Sequence, residues 1–276
     1  DSELDSLTFD AAYLKYTQGD CSGIIPAFDD YLQKYSNGIF AVDAHYYRAQ
    51  CRYQEDDLSG ALEDYEFLVE AKKNKYSEEA LLQSSYLYFS RENYEMALER
   101  YAALERLAAF PENRRTAVVG LMRANFKLEK FEKSVEYANK VLRFDKLAVD
   151  LEQEAHIILA KSAWKEGDQR TAQREFEWVE DKAANVFRAE AKYFLALIEY
   201  EKEAYEESQK RIFDLLQNMP SYNYWGNRAL ILLARNYWKL DDLYQANYTL
   251  DQILKRSKND EILAEAQKWK DELTRS

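Results

Sequence analysis

The sequence predicts an all-α protein built as a row of paired helices, and three observations support this class. The first is an internal repeat with a period of 36 to 38 residues. The second is a low content of turn-forming residues: the 276 residues include only seven Gly and three Pro, too few for the many tight turns of a sheet protein. The third is a charged fraction of 32% beside an apolar fraction of 47%, which suits packed amphipathic helices and argues against disorder. The whole chain, residues 1–276, is therefore predicted to be one array.

The segment 43–69 shows the repeating unit most clearly. Two amphipathic helices flank a polar turn at residues 55–57, with Ala49 in the first helix and Ala61 in the second. A small residue on each arm lets two antiparallel helices approach closely. The segment is therefore predicted to be a helical hairpin.

The small residue of the second helix recurs in register along the chain. Successive occurrences are separated by 36, 36, 37, 38, 36 and 38 residues, at Ile25, Ala61, Ala97, Ser134, Ala172, Ser208 and Ala246. Twelve residues before each of them lie Tyr13, Ala49, Ser85, Met122, Ala160, Ala196 and Ala234. This register predicts seven hairpins, over residues 2–36, 38–74, 76–110, 112–145, 148–183, 186–218 and 221–257.

A further helix is predicted after the seventh hairpin, over residues 260–274. Asn259 can cap its start. Its apolar residues recur at helical spacing, as Ile262, Ala266, Trp269 and Leu273. A stack of hairpins needs a terminal element to cover its open apolar end, so this helix is interpreted as a cap.

Charge and motif content narrow the possible functions. A net charge of −12 disfavours nucleic acid or an anionic membrane surface as the main ligand, and no apolar run of eighteen residues could span a bilayer. His45 and His156 both lie four residues before the small residue of a first helix, which indicates packing positions. No metalloprotease, nucleophile-elbow or phosphate-loop motif occurs, so the chain is predicted to be neither an enzyme nor a binder of metals or cofactors.

Two cysteines are too few to indicate a disulfide framework. Cys21 and Cys51 are interpreted as small packed residues, with a bridge between neighbouring helices as the alternative. The charges of Arg48, Arg52 and Glu199 stand where other repeats place apolar residues. Each is expected to pair with an opposite charge or to reach water, and a role in anchoring a partner is the alternative.

The repeat pattern resembles the tetratricopeptide repeat family over almost the entire chain, although that family's usual unit is slightly shorter. The resemblance implies a right-handed α-α superhelix of seven hairpins and a capping helix. In residues 18–35 and 44–47 the chain is similar to bacterial cell-envelope members, such as the coordinator of the Tol–Pal system and outer-membrane assembly lipoproteins. Ser36 and Ala49 stand where that subgroup usually has Pro and Gly. The likeness implies a periplasmic or envelope location, with the cytoplasm as the alternative.

In this family the first helices line a concave face that binds partners. Helical geometry assigns to that face residues three before, one after or four after the small residue. The candidate binding residues are Tyr46, Tyr53, Tyr86, Phe89, Arg123, Phe126, Lys161, Trp164, Tyr193, Tyr200, Arg235 and Trp238. Basic side chains among the later ones favour an acidic segment as ligand. The alternative is that the aromatic residues pack against neighbouring helices.

The resemblance therefore implies a non-catalytic scaffold that binds a protein or peptide segment in an aromatic-lined groove, as part of a bacterial cell-envelope assembly. One alternative is a carbohydrate- or small-ligand-binding accessory protein of the envelope. Another is a passive spacer segment of a larger repeat protein. The sequence carries no signal for an oligomeric state.

Overall fold

The computed structural model describes residues 2–19 and 21–275, and every regular element in them is an α-helix. These described residues form fifteen helices: α1 (Ser2–Thr17), α2 (Cys21–Lys34), α3 (Ala41–Gln54), α4 (Leu58–Glu70), α5 (Ser77–Ser90), α6 (Tyr94–Leu107), α7 (Pro111–Lys127), α8 (Phe131–Val141), α9 (Val149–Lys165), α10 (Gln169–Lys182), α11 (Val186–Glu201), α12 (Tyr205–Asn218), α13 (Asn223–Lys239), α14 (Leu243–Arg256) and α15 (Asp260–Arg275). The predicted class, seven helical hairpins followed by a capping helix, is confirmed. None of these helices is both long and apolar enough to cross a membrane.

The helices group into two compact units, one ending at Tyr137 and the other beginning at Ala138. In the N-terminal unit each of the helices α1 to α7 packs on the next. In the C-terminal unit the same holds from α9 to α15, and the alternate helices α9, α11, α13 and α15 also pack side by side. Within each unit, the hairpins thus contact their neighbours in sequence, as in a solenoid. The prediction of one continuous domain stays a prediction.

The residues of the predicted register form the innermost layer of the second to seventh hairpins. All of them are 0% exposed, as at Ala49 and Ala61. Where the second helix carries serine, the hydroxyl donates a hydrogen bond to the facing helix: Ser208 Oγ lies 2.8 Å from the Ala196 carbonyl. A small or internally satisfied side chain at this point allows close packing of the two helices.

In the first hairpin the register is one residue off. Tyr13 is 36% exposed and Ile25 only half-buried, whereas Ala12 and Ile24 are 3% and 1% exposed. Ala12 is small enough to face the partner helix, and the Tyr13 ring instead stacks 5.8 Å from Phe9. The assignment of Tyr13 and Ile25 to the inner layer is therefore wrong.

The turns between paired helices share one backbone conformation. Each has a residue with positive φ: Gly19, Asp56, Glu92, Glu129, Gly167, Glu203 and Asp241. In the second hairpin, the Asp57 amide then donates to the Arg52 carbonyl at 2.8 Å, and its carboxylate accepts from the Gly60 amide at 3.0 Å. One residue thus closes the first helix and caps the second.

A disulfide joins Cys21 in α2 to Cys51 in α3, with 5.1 Å between the Cα atoms. Both residues are buried where the two helices pack, 9% and 1% exposed. The interpretation of these cysteines as free packed residues is wrong, because the α2–α3 contact brings their Cα atoms within bonding range.

Candidate partner-binding surfaces

In the N-terminal unit, two of the predicted tyrosines are open to solvent. Tyr53 is 37% exposed and Tyr86 is 54% exposed. Tyr46 is half-buried, because its ring stacks 3.8 Å from that of Tyr76 and its hydroxyl accepts from Gln50 Nε2 at 2.6 Å. The first helices of this unit therefore present both free and packed aromatic rings.

Sequence reasoning missed most of a tyrosine cluster that links α1, α3 and the start of α5. Its rings are Tyr13, Tyr16, Tyr47, Tyr46 and Tyr76, and successive centroids lie 6.0, 4.4, 5.5 and 3.8 Å apart. Burial raises the pKa of the Tyr46 hydroxyl above its ordinary value. The adjacent pair Tyr46-Tyr47 was the signal in the sequence, but only one of the two rings falls on the predicted face.

Three of the predicted rings pack across the turn of their own hairpin. Each meets, edge to face, the aromatic residue five positions later: Phe89 with Tyr94 at 5.2 Å, Phe126 with Phe131 at 5.9 Å, and Tyr200 with Tyr205 at 5.5 Å. Edge-to-face pairs of this kind stabilise the packing of the two arms. Three of the candidate binding residues therefore also hold the two helices of their hairpins together.

Several predicted residues of α7, α9 and α11 differ in accessibility. Arg123 is exposed, whereas Lys161 is half-buried and forms an ion pair with Glu190 at 2.7 Å. The half-buried Trp164 packs edge to face with Phe194 at 6.1 Å. Tyr193 is only 2% exposed, so it supports the surface from below instead of contacting a partner. Its predicted place among the exposed rings is wrong because the Arg228 side chain covers it.

The C-terminal unit brings Tyr200, Arg235 and Trp238 together with a residue assigned only to the core. The Arg235 guanidinium carbon lies 4.4 Å from the centroid of the Tyr200 ring and 4.4 Å from that of Trp269, and we name these three residues the arginine stack. Trp238 meets Trp269 edge to face at 6.2 Å. The sequence places Trp269 in the apolar stripe of the capping helix. Its contact with Arg235 depends on the packing of α13 against α15, which the sequence pattern does not show.

A charged cluster surrounds Asp64, which is 1% exposed. The carboxylate accepts from His45 Nδ1 at 2.6 Å, Arg48 Nη2 at 2.6 Å and Arg52 Nη1 at 3.0 Å. Burial alone would raise the pKa of Asp64, but the hydrogen bond to His45 and the Arg48 guanidinium outweigh it and hold that pKa below its usual value. The expectation that Arg48 and Arg52 find opposite charges is confirmed.

The same histidine arrangement returns three hairpins later. His45 stacks 3.7 Å from Phe67, and His156 stacks 3.6 Å from Trp178 while its Nδ1 lies 2.7 Å from Glu175. Both histidines thus tie a first helix to its second helix, which explains their shared repeat position. Within the described residues, no three His, Cys, Asp or Glu side chains group so as to hold a metal ion.

Known structures share the fold at low sequence identity. A tetratricopeptide repeat protein from Parabacteroides merdae aligns over 99% of this chain and 99% of its own, at 14% identity and a TM-score of 0.51. The C-terminal part of a repeat protein from Cytophaga hutchinsonii aligns over 93% of this chain and 98% of its own, at 14% identity and a TM-score of 0.59. The apo quorum sensor NprR of B. thuringiensis aligns over 96% and 80%, at 12% identity and a TM-score of 0.58.

These likenesses assign the chain to the tetratricopeptide-type helical solenoids as a class of fold. No protein-family model matches the sequence, and no curated protein matches it. The finer resemblance to Tol–Pal and outer-membrane assembly proteins stays a prediction.

Proposed function

We propose that this protein is a non-catalytic scaffold that binds a segment of another protein along its first helices. The observation that carries the proposal is the aromatic and arginine side chains at the surface of those helices. Tyr53 and Tyr86 are exposed in one unit, and in the other the half-buried arginine stack joins α11 and α13 to the capping helix α15. Aromatic and arginine side chains are the residues that most often dominate the energy of protein–protein binding. The second helices expose charged residues such as Glu63 and Lys210, and in α14 also two tyrosines.

The charge of the chain favours a protein over a nucleic acid as partner. A net charge of −12 repels a phosphate backbone, whereas a short basic or apolar surface on an acidic protein can still select a complementary peptide. Stacked tyrosine rings also suit a carbohydrate, but in the tyrosine cluster the Tyr46 and Tyr76 ring faces cover each other at 3.8 Å. A peptide is therefore the better-supported ligand.

We place the protein in an oxidising compartment, the periplasm or another part of the bacterial cell envelope. The Cys21–Cys51 disulfide supports this location, because disulfides persist outside the reducing cytosol. Alkylating free thiols in acid-quenched source cells tests it, since the proposed location leaves both cysteines unmodified. Complete modification of both would contradict it.

A peptide selection tests the scaffold function. The 276-residue chain, immobilised through a terminal tag, would be used to select binders from a random twelve-residue phage library whose peptides have no free C-terminus. Selected sequences would be synthesised with acetylated and amidated ends and a benzophenone group, and their cross-links mapped by mass spectrometry. We expect cross-links on first helices, such as α3, α5, α11 and α13. Recovery of no binder, or cross-links confined to second helices, would reject the proposal.

Matched tyrosine substitutions provide the control. For peptides cross-linked to α3 or α5, Tyr53→Ala with Tyr86→Ala should weaken binding about tenfold or more, because accessible aromatic anchors dominate such contacts. Tyr244 and Tyr248 of α14 are 74% and 52% exposed, so the corresponding pair of alanine substitutions removes the same chemistry from a second helix. That control should leave affinity within about twofold.

A further inference from the structure

Two arginines of α13 occupy equivalent places along the C-terminal unit. Arg228 lies over the ring of Tyr193, at 5.2 Å, and Arg235, seven residues later, lies over the ring of Tyr200, also seven residues later, at 4.4 Å. A seven-residue step returns to nearly the same side of a helix. Arg228 meets α15 at Glu261 and Arg235 meets it at Trp269, so α13 and α15 run in the same direction here.

The two arginines differ in what their guanidinium ends meet. Arg228 forms ion pairs with Glu261 at 3.4 Å and Glu265 at 3.3 Å, and donates to the Tyr193 hydroxyl at 3.2 Å. Arg235 has no carboxylate within 4.0 Å and no hydrogen-bond acceptor among the residues that the structure describes. The Nε atoms of both are buried without an acceptor, so the difference lies at the Nη groups.

The sequence of α15 repeats only one of the two carboxylates that pair with Arg228. Seven residues after Glu261 comes Lys268, whose Nζ lies 5.8 Å from the ring centroid of Trp269. Seven residues after Glu265 comes Glu272, which forms no ion pair in the described structure. In α11, the Glu201 carboxylate interacts electrostatically with Arg235 but lies more than 4.0 Å from its guanidinium nitrogens. Arg228 thus has two carboxylates of α15 within ion-pair distance, whereas Arg235 has none among the described residues.

A guanidinium held between two aromatic rings is prepared to bind a carboxylate. The rings fix the plane of the group, so the Nη donors are oriented before a ligand arrives and little side-chain entropy is lost on binding. An arginine binds a carboxylate through two parallel charge-assisted hydrogen bonds. The neighbouring Lys239 and Lys268 add positive charge around Trp238 and Trp269.

We propose that the arginine stack is the docking point for an acidic side chain, Asp or Glu, within the partner segment. This inference rests on the scaffold function and adds the chemical class of its ligand. The carboxylate of the partner takes at Arg235 the place that Glu261 and Glu265 take at Arg228. Trp238 and Trp269 provide apolar surface for the residues beside that acidic side chain.

The peptide selection described above tests this inference with three further variants. Among binders that cross-link to α11, α13 or α15, we expect Asp and Glu to be enriched relative to the unselected library. Replacing the acidic residue by its amide, or Arg235 by Gln, should each raise Kd about tenfold or more. Combining the peptide change with Arg235→Gln should raise Kd little beyond the effect of either change alone, because the carboxylate and the guanidinium bind each other.

Two substitutions separate docking from a purely structural role of Arg235. Lys255→Gln removes an exposed positive charge from α14 and should leave Kd within about twofold. Lys268→Glu places a carboxylate seven residues after Glu261, where it can pair with Arg235 within the chain. It should raise Tm and weaken peptide binding about tenfold, whereas an arginine that only fastens α15 would gain stability with no change in Kd.

The outcomes distinguish this inference from the function on which it rests. Some binders will map to α11, α13 or α15. If these show no acidic enrichment, and if their affinity for the Arg235→Gln variant equals that for the parent, the acidic ligand is rejected and the scaffold function is kept. If peptides with every acidic residue replaced bind only when given a free C-terminus, the ligand is a terminal carboxylate and the proposal of a side chain is wrong. Failure to select any peptide would reject both.

Discussion

At the scale of single residues, Asp64 shows how one buried charge can organise a hairpin. Its carboxylate is 1% exposed and pairs with His45, Arg48 and Arg52, all from the facing helix α3. A buried charge costs several kcal/mol unless it is paired, so the whole group depends on each of its members. The sequence shows these charges as departures from an apolar pattern, and the structure shows that they compensate each other.

Replacing Asp64 by Asn should lower the stability of the second hairpin by about 3–5 kcal/mol, because two arginines lose their shared carboxylate. Amide hydrogen exchange in α3 and α4 measures this local change, and Glu63→Gln on the exposed side of α4 is the control. Protection equal to that of the parent would show that the cluster contributes nothing.

The pH dependence of the same hairpin follows from the lowered pKa of Asp64. The folded carboxylate binds a proton less readily than the unfolded one, whose pKa is about 3.9. Its contribution to stability is therefore present above about pH 4 and is lost as the pH falls through the folded value. Exchange protection in α4 should fall steeply below about pH 4 in the parent and less steeply in Asp64→Asn.

At the scale of elements, the backbone conformation of the hairpin turns is more constant than the residues that form them. Five of the seven hairpin turns place a residue other than Gly at positive φ, among them Glu203 with a φ of 61°, while Gly19 and Gly167 hold the remaining two. A side chain in this conformation costs about 1–2 kcal/mol, against roughly 0.5–1 kcal/mol for the extra entropy that Gly loses. Helix packing on both sides therefore holds these turns in an unfavourable conformation.

Replacing Glu203 by Gly should consequently stabilise the sixth hairpin by about 0.5–1 kcal/mol. Gly167→Ala is the matched reverse change: an added Cβ meets nothing within 4 Å, so only its φ of 80° opposes it. That variant should lose about 1 kcal/mol. Urea titration followed by circular dichroism compares the two, and shifts of the same sign would contradict this account of the turns.

At the scale of the whole molecule, stability is expected to be local, because within each unit a hairpin packs mainly on its neighbours. The disulfide cross-links α2 to α3 and closes a loop with a sequence separation of 30 residues. Constraining a loop of that length stabilises by about 3–4 kcal/mol in the chain-entropy treatment. That stabilisation applies to the hairpins that the bond joins.

Reduction of Cys21–Cys51 should therefore raise amide exchange in α1, α2 and α3 and leave α9 to α15 unchanged. Hydrogen–deuterium exchange with and without a phosphine reductant measures this difference, and the Cys21→Ser, Cys51→Ser variant should reproduce the reduced protein. Equal loss of protection in α13 would show that the chain unfolds as one cooperative unit.

The sequence was most informative where the deciding contacts are local. The alanine and serine positions twelve residues apart predicted the hairpins because both arms meet across one short turn. In the first hairpin the prediction is one residue off, because Tyr13 also lies at helical spacing and only its 36% exposure, beside 3% for Ala12, shows that it is not the inner residue. The binding surface stays a prediction; among its candidate residues Tyr53 and Tyr86 are accessible, whereas Tyr193 lies beneath Arg228.

The sequence by itself determined the class of fold and the order of the helices, since spacing, small residues and turns act within one hairpin. Only the tertiary structure decided which side chains are satisfied. It paired Cys21 with Cys51, and it left Arg235 between two rings without a carboxylate. Those outcomes depend on distances between side chains of different hairpins, and the periodicity of a single helix carries no record of such distances.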